Sequence, residues 1–330
     1  MRTTIQALLC SLLATACAPI GEAGDTSFGP DAGADAASAS GTCDDLETRT
    51  LDLTISGSAG FTNLPAGCWK LNGRLTLTGP AVTSVAKLGD LRGVRDLVID
   101  DTDLTTLDSK GPIDVTGTIT IRYNDRLTDI AHVAPRATIE SIAVEYNPEL
   151  VSLGGLSKAS VVTADTRISN NNKLVSVSLP TVNRIEGNVT IQDNPLLGTV
   201  ELPALTSTGS LTVRRNALLA TLTLTALQYV HGTLTIDDND ALGSLSGLNT
   251  GITVDIGVYV TNNLKLSNID RLARASYVGG AVTVTSNAAL SASAAHEIDC
   301  CVNTGPVSIS NNMTSTCNGG HWCATNGCPY

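Results

Sequence analysis

The sequence predicts an all-β chain wound as a parallel β-solenoid of about eleven turns, with a period near 23 residues, closed at its ends by cysteine-bearing caps. Three observations predict it. A motif of the form Leu234-Thr235-Ile236-Asp237-Asp238-Asn239, followed by Leu242, Leu245 and Leu248, recurs as Val189-Thr190-Ile191 with Asn194 and Leu197, and as Leu211-Thr212-Val213 with Asn216 and Leu219. One column runs Asn124, Asn147, Asn171, Asn194, Asn216, Asn239, Asn263, Asn287 and Asn312, at intervals of 22 to 25 residues, and extends upstream through Thr102, Pro80 and Ser58. The chain is 330 residues long, 42% hydrophobic but only 15% charged and 3% aromatic, so its core must be built on aliphatic side chains repeated many times.

The first element is a leader. Arg2 precedes an apolar run from Ala7 to Ala14, which is the length of a signal-peptide core and too short to span a bilayer. Its end, Ala14-Thr15-Ala16-Cys17, resembles the lipobox of bacterial lipoproteins, which implies removal of residues 1–16 and lipidation of Cys17. Ala18 after the cysteine points to the outer membrane, and ordinary cleavage with secretion is the alternative. Residues 17–42 follow as a tether rich in Gly, Ala, Ser and Asp with almost nothing to bury.

The solenoid occupies residues 43–298. Each turn opens with a short strand whose alternate residues, such as Val189 and Ile191, point inward. Further apolar residues stand three and six positions after the ladder asparagine. One turn cannot bury its own stripe, but stacked turns bury a continuous one, and the asparagine amide can donate to and accept from neighbouring turns. Gly73, Gly117, Gly187, Gly209, Gly232, Gly280 and Gly305 stand seven before the ladder, where an unusual φ/ψ is expected. A horseshoe with helices, the leucine-rich-repeat form, shares this period. Pro203 and the β-branched residues between strands argue against it.

Cys43, then Cys68-Trp69-Lys70-Leu71-Asn72-Gly73-Arg74-Leu75-Thr76-Leu77, resembles the start of a receptor L domain, as in growth-factor receptor ectodomains. The turns that follow, over about residues 43–312, resemble that family and the yeast cell-wall proteins related to it. The resemblance implies a right-handed single-stranded β-helix used for binding or wall organisation. No ligand-binding residue carries over.

Nine cysteines occur. Cys43 and Cys68 flank the first turn and are expected to pair. Cys300, Cys301, Cys317, Cys323 and Cys328 lie in a C-terminal cap, residues 299–330, where disulfides suit an exported chain. A metal site from Cys317, His321, Cys323 and Cys328 is the weaker alternative, so no metal and no cofactor is expected.

Neither a nucleophile elbow, a zinc-protease helix motif nor a phosphate loop is present. His132, His231, His296 and His321 are scattered. The acidic clusters Asp100–Asp101–Asp103 and Asp237–Asp238–Asp240 are read as solvated turns, with a carbohydrate-active enzyme as the remote alternative. The net charge of −11 leaves no basic footprint for nucleic acid. On the exposed strand face, the column two before the ladder reads Asp100, Arg122, Glu145, Ser169, Gln192, Arg214, Asp237, and predicts ion pairs Asp100–Arg122–Glu145 and Arg214–Asp237. Tyr123 and Tyr146 occupy adjacent turns on that face. The expectation is therefore a lipid-anchored envelope protein with a non-catalytic face (Arg122, Tyr123, Glu145, Tyr146, Arg214 and Asp237) that meets a protein or glycan. A structural envelope protein without a ligand is the second reading.

Overall fold

A computed structural model describes Cys43 and residues 46–291, 293–295 and 305–313. The leader, Cys17, the tether, His296, His321 and the five C-terminal cysteines lie outside the described residues. Disulfide Cys43–Cys68 is formed.

The chain is a parallel β-solenoid of about eleven turns. Its main sheet runs through twelve strands in chain order, from Glu47–Arg49 to Val307–Ser310. Register is kept turn after turn, as in Val189↔Leu211↔Leu234↔Val258↔Val282. A seven-stranded sheet from Thr138–Ile139 to Tyr277–Val278 forms another side, and Ser176–Ser178, Thr199–Glu201 and Thr221–Thr223 form a third, short one. The joining segments carry only short 3-10 stretches such as Gly154–Lys158 and Leu272–Arg274, and parallel sheets stand on the sides where a helical horseshoe would place its helices. Among the described residues no helix is long and apolar enough to cross a membrane.

One turn shows why the sequence winds this way. Val189, Ile191, Leu197, Val200, Leu202 and Leu205 are all buried. They come from three sides of the same turn, and burial of each such side chain stabilises by about 1.5–3 kcal/mol. Valine and isoleucine dominate the strands, where a branched Cβ packs on a pleated surface. At the N-terminal end Trp69 is fully buried and its indole Nε1 donates to the Leu88 carbonyl at 2.9 Å.

The glycine column has a different cause from the one expected. None of Gly73, Gly117, Gly187, Gly209, Gly232, Gly280 or Gly305 has positive φ. They are glycine because the preceding turn occupies the space of a side chain: a Cβ on Gly187 would stand 2.5 Å from both the Ala164 carbonyl carbon and Asp165 Oδ1, and one on Gly209 2.7 Å from the Gly187 oxygen. The intruding side chain has a task. Asp165 Oδ1 accepts the Asn188 amide (2.9 Å) and Asn188 Oδ1 accepts the Ser210 amide (2.8 Å). Asp52 and Asp96 do the same for the amides of Arg74 and Thr118, one turn on. Glycine thus admits a capping side chain from the turn before.

Candidate binding face

The main sheet presents its outer surface along one flank bounded by the asparagine ladder. Each ladder asparagine from Asn124 to Asn287 is fully buried. Its backbone N–H donates to the Oδ1 of the next rung, for instance Asn171 to Asn194 at 3.0 Å. Its Nδ2 donates back to a carbonyl of the previous turn, as Asn194 does to Ile168 at 3.1 Å, and at every rung but Asn171 also to a carbonyl of its own turn, for Asn194 that of Gln192 at 2.8 Å. Asn312 Nδ2 reaches the Val284 carbonyl. At the other end Thr102 replaces asparagine and donates through both N–H and Oγ1 to Asn124 Oδ1. The rung before it is Pro80, which brings no N–H, so Thr102 needs no amide oxygen to receive one.

The residue before each of these rungs is left-handed: Asp101, Tyr123, Tyr146, Asn170, Asp193, Arg215, Asp238, Asn262, Ser286 and Asn311 have φ of 52° to 60°. This bend turns the chain so that the asparagine side chain enters the core. The sequence reading placed the unusual backbone at the glycines. The signal that could have found it is the Asp or Asn that stands immediately before the ladder in six of these ten positions. Those residue types tolerate the left-handed region, whereas bulky ones do so at a cost.

Tyr123 and Tyr146 are the two aromatic residues in that column. Both are nearly half exposed, and their rings stack at 5.0 Å with 18° between planes. The Arg122 guanidinium lies 5.7 Å from the Tyr123 centroid. Asp100 binds Arg122 through two hydrogen bonds of 3.1 and 2.9 Å and raises its pKa, first by hydrogen bonding and then by charge. The expected continuation to Glu145 survives as a weaker charge effect on Arg122, while the Glu145 carboxylate accepts from Ser169 at 3.1 Å. Arg214 likewise turns to Gln192 (2.9 Å), while Asp237 accepts from Thr261 and Asn262, so the expected Arg214–Asp237 pair gives way to these contacts. A column of aligned residues names neighbours on both sides, and each long side chain can lean to only one of them.

The structure therefore gathers Arg122, Tyr123, Glu145 and Tyr146 on two adjacent turns. Arg214 and Asp237 lie three or more turns further along, about 14 Å away at the usual strand spacing. The acidic clusters are employed in the fold: Asp100 holds Arg122, Asp103 faces Arg126 at 3.9 Å, and Asp101 and Asp238 are left-handed turn residues. His132 Nδ1 is 3.1 Å from Ser109 Oγ, which also lies 2.9 Å from the Gly111 carbonyl it can donate to. His231 Nδ1 lies 3.1 Å from Asp255 Oδ2 on the following turn.

No protein-family model matches the chain, and no solved structure matches it. A curated relative, sporulation-specific protein 2 of Saccharomyces cerevisiae, is 24% identical over 205 residues, covering 62% of this chain. The chain spans about a third of that relative's length, 34%.

Proposed function

We propose that the protein is a non-catalytic binding module of the cell envelope, held by a lipid on Cys17 and presenting the main-sheet flank of its solenoid to a protein or glycan. The observation that carries this reading is the Tyr123–Tyr146 pair. The fold needs a left-handed residue there and is served elsewhere by Asp, Asn or Ser, with Arg215 the one other bulky residue. Two tyrosines accept backbone strain to stand exposed beside Arg122, and such strain is concentrated at functional sites. The resemblance to receptor L domains and yeast cell-wall proteins favours binding or wall organisation over catalysis.

The test is a double variant, Tyr123→Asn with Tyr146→Asn, screened beside the unaltered protein on glycan and envelope-protein arrays. Strain relief and the lost ring contact are each worth roughly 1 kcal/mol and oppose one another, so melting should shift little. A ligand bound by the parent should be lost from the variant. An unchanged binding profile would remove the tyrosines from the site, and a blank parent would favour the structural envelope reading. Intact mass checks the anchor: a diacylglyceryl adduct on Cys17 is expected, and a free Cys17 or a later N-terminus would make the protein a secreted one.

A further inference from the structure

The N-terminal quarter of the solenoid departs from the regular stack. The strands Cys68–Thr78 and Asp90–Asp100 pair with two register breaks. Leu91 opposes Trp69 and Gly93 opposes Lys70, leaving Arg92 as a bulged extra residue. Val94 opposes Leu71 and Asp96 opposes Arg74, so that Asn72 and Gly73 face Arg95. Bulges re-aim side chains, and here both breaks turn arginines toward one hollow of about 360 Å³. Its outward column reads Thr48, Lys70, Gly93, Asp114, and Gly93 forms a dip between longer neighbours.

The hollow is cationic in an acidic chain. Lys70, Arg92, Arg95 and Arg136 line it, against one lining carboxylate, Asp114, which is tied to Arg136 at 2.7 Å. Over the lining of this hollow and the one beside it, Lys70, Arg92, Arg95 and Arg136 face the carboxylates of Asp96, Asp114 and Glu140, a slight positive excess where the whole chain carries −11. Lys70 makes no ion pair among the described residues. Arg92 reaches Asp90 through one Nη at 3.2 Å, but its Nε is buried without a hydrogen-bond partner. An orphaned guanidinium nitrogen at a bulge is costly unless something else accepts from it. A second hollow of about 670 Å³ shares Asn72, Arg95 and Thr116 with the first and adds the hydroxyls of Thr138 and Thr163 and the carboxylates of Glu140 and of Asp96, which is tied to Arg95 at 2.8 Å, so a ligand carboxylate belongs in the first hollow and neutral ring hydroxyls in the second.

We infer that this pair of hollows is a binding site for an acidic saccharide, with a sugar carboxylate held by Lys70 and Arg92 and the ring hydroxyls met by Asn72, Thr116 and Thr138. Guanidinium groups match a carboxylate as a planar fork, and the threonine-lined second hollow fits hydroxyls better than a bare ion. The inference rests on the binding reading proposed above but uses a different face from the tyrosine pair.

The test titrates the full chain with a tetramer of galacturonic acid, beside a neutral tetrasaccharide, inorganic phosphate and sulfate. Binding of the uronate alone is expected, weakening with salt, and falling about tenfold in each of Lys70→Gln and Arg92→Gln. Arg92→Lys should recover part of the loss, and the Tyr123→Asn, Tyr146→Asn variant should bind as the parent does. Equal affinity for phosphate or sulfate would overturn the saccharide assignment in favour of a plain oxyanion site. Absence of uronate binding, or undiminished binding by Lys70→Gln (an exposed side chain whose loss leaves the core intact), would overturn the site. Should the tyrosine face find a ligand while the uronate does not bind, only this inference falls; should both stay blank, the binding reading falls with it.

Discussion

The Asn194 side chain makes five hydrogen bonds to its own turn and the turns on either side: two to its Oδ1 from Asn171, and three from its Nδ2 to Ile168, Gln192 and Asn216. Removing it leaves several of these partners buried without a mate, at about 1–3 kcal/mol for each. Asn194→Ala should therefore destabilise by about 3–5 kcal/mol in urea unfolding, far more than a surface substitution. Asn194→Asp keeps an acceptor for Asn171 but aims a carboxylate at the Ile168 and Gln192 carbonyls. Burial against carbonyl oxygens raises the folded-state pKa of that group. Its penalty is then full above that raised value and shrinks as pH falls toward the unfolded carboxyl value near 4. The gap between this variant and the parent should narrow on acidification, and a pH-independent gap would show that charge is not the cause. This ladder was legible because one residue type at one interval can do the work. The left-handed column beside it was not read, although Asp and Asn crowd it, because Tyr123, Tyr146, Arg215 and Ser286 break the pattern.

At the scale of the turn, the glycine column and the capping side chains act as a unit. Asp165 caps Asn188 only because Gly187 leaves room, and Asn188 caps Ser210 only because Gly209 does. Backbone hydrogen bonding and a charge-assisted contact to Arg167 hold the Asp165 carboxyl below its ordinary pKa, against the opposing effect of burial. Gly187→Ala should cost about 1–3 kcal/mol, the usual range for forcing extra volume into a packed site. Gly198→Ala is the internal control: a Cβ there meets only the Val175 oxygen at 3.7 Å, and φ is not positive. It should be neutral or stabilising by about 0.4–1 kcal/mol, through the stiffer unfolded chain. Equal effects of the two substitutions on thermal melting would refute the steric account. The sequence interval shows that glycine recurs, but not whether space or φ requires it. That distinction needs the neighbouring turn in place. The cationic hollow is hidden for a related reason: Lys70, Arg92, Arg95 and Arg136 form no run and no even column, and only two register breaks bring them together.

For the whole solenoid, the parallel stack makes each turn depend on its neighbours and on nothing further away. Stability is then a property of position, and an end turn is the natural place for opening to begin. The disulfide Cys43–Cys68 spans 25 residues at the N-terminal end, where the strands Glu47–Arg49 and Leu53–Ile55 are held against Cys68–Thr78 alone. Chain-entropy reasoning gives a crosslink of that span about 3–4 kcal/mol. In a globular core that loss would be shared by the entire molecule. Here it should be spent locally. Reduction should raise amide hydrogen exchange from Glu47 through about Thr78, including the strand around buried Trp69, while the strands from Val189–Gln192 to Val282–Thr285 keep their protection. The hollow takes Thr48, Lys70 and Asn72 from the loosened part and its other walls from the turns that follow, and the Tyr123–Tyr146 pair sits beyond the loosened part altogether. A uniform rise in exchange across all turns would mean that the stack unfolds as one unit and would refute the nearest-neighbour account. A rise confined to the first turns would also make the redox state of one cysteine pair a handle on one of the two faces without disturbing the other.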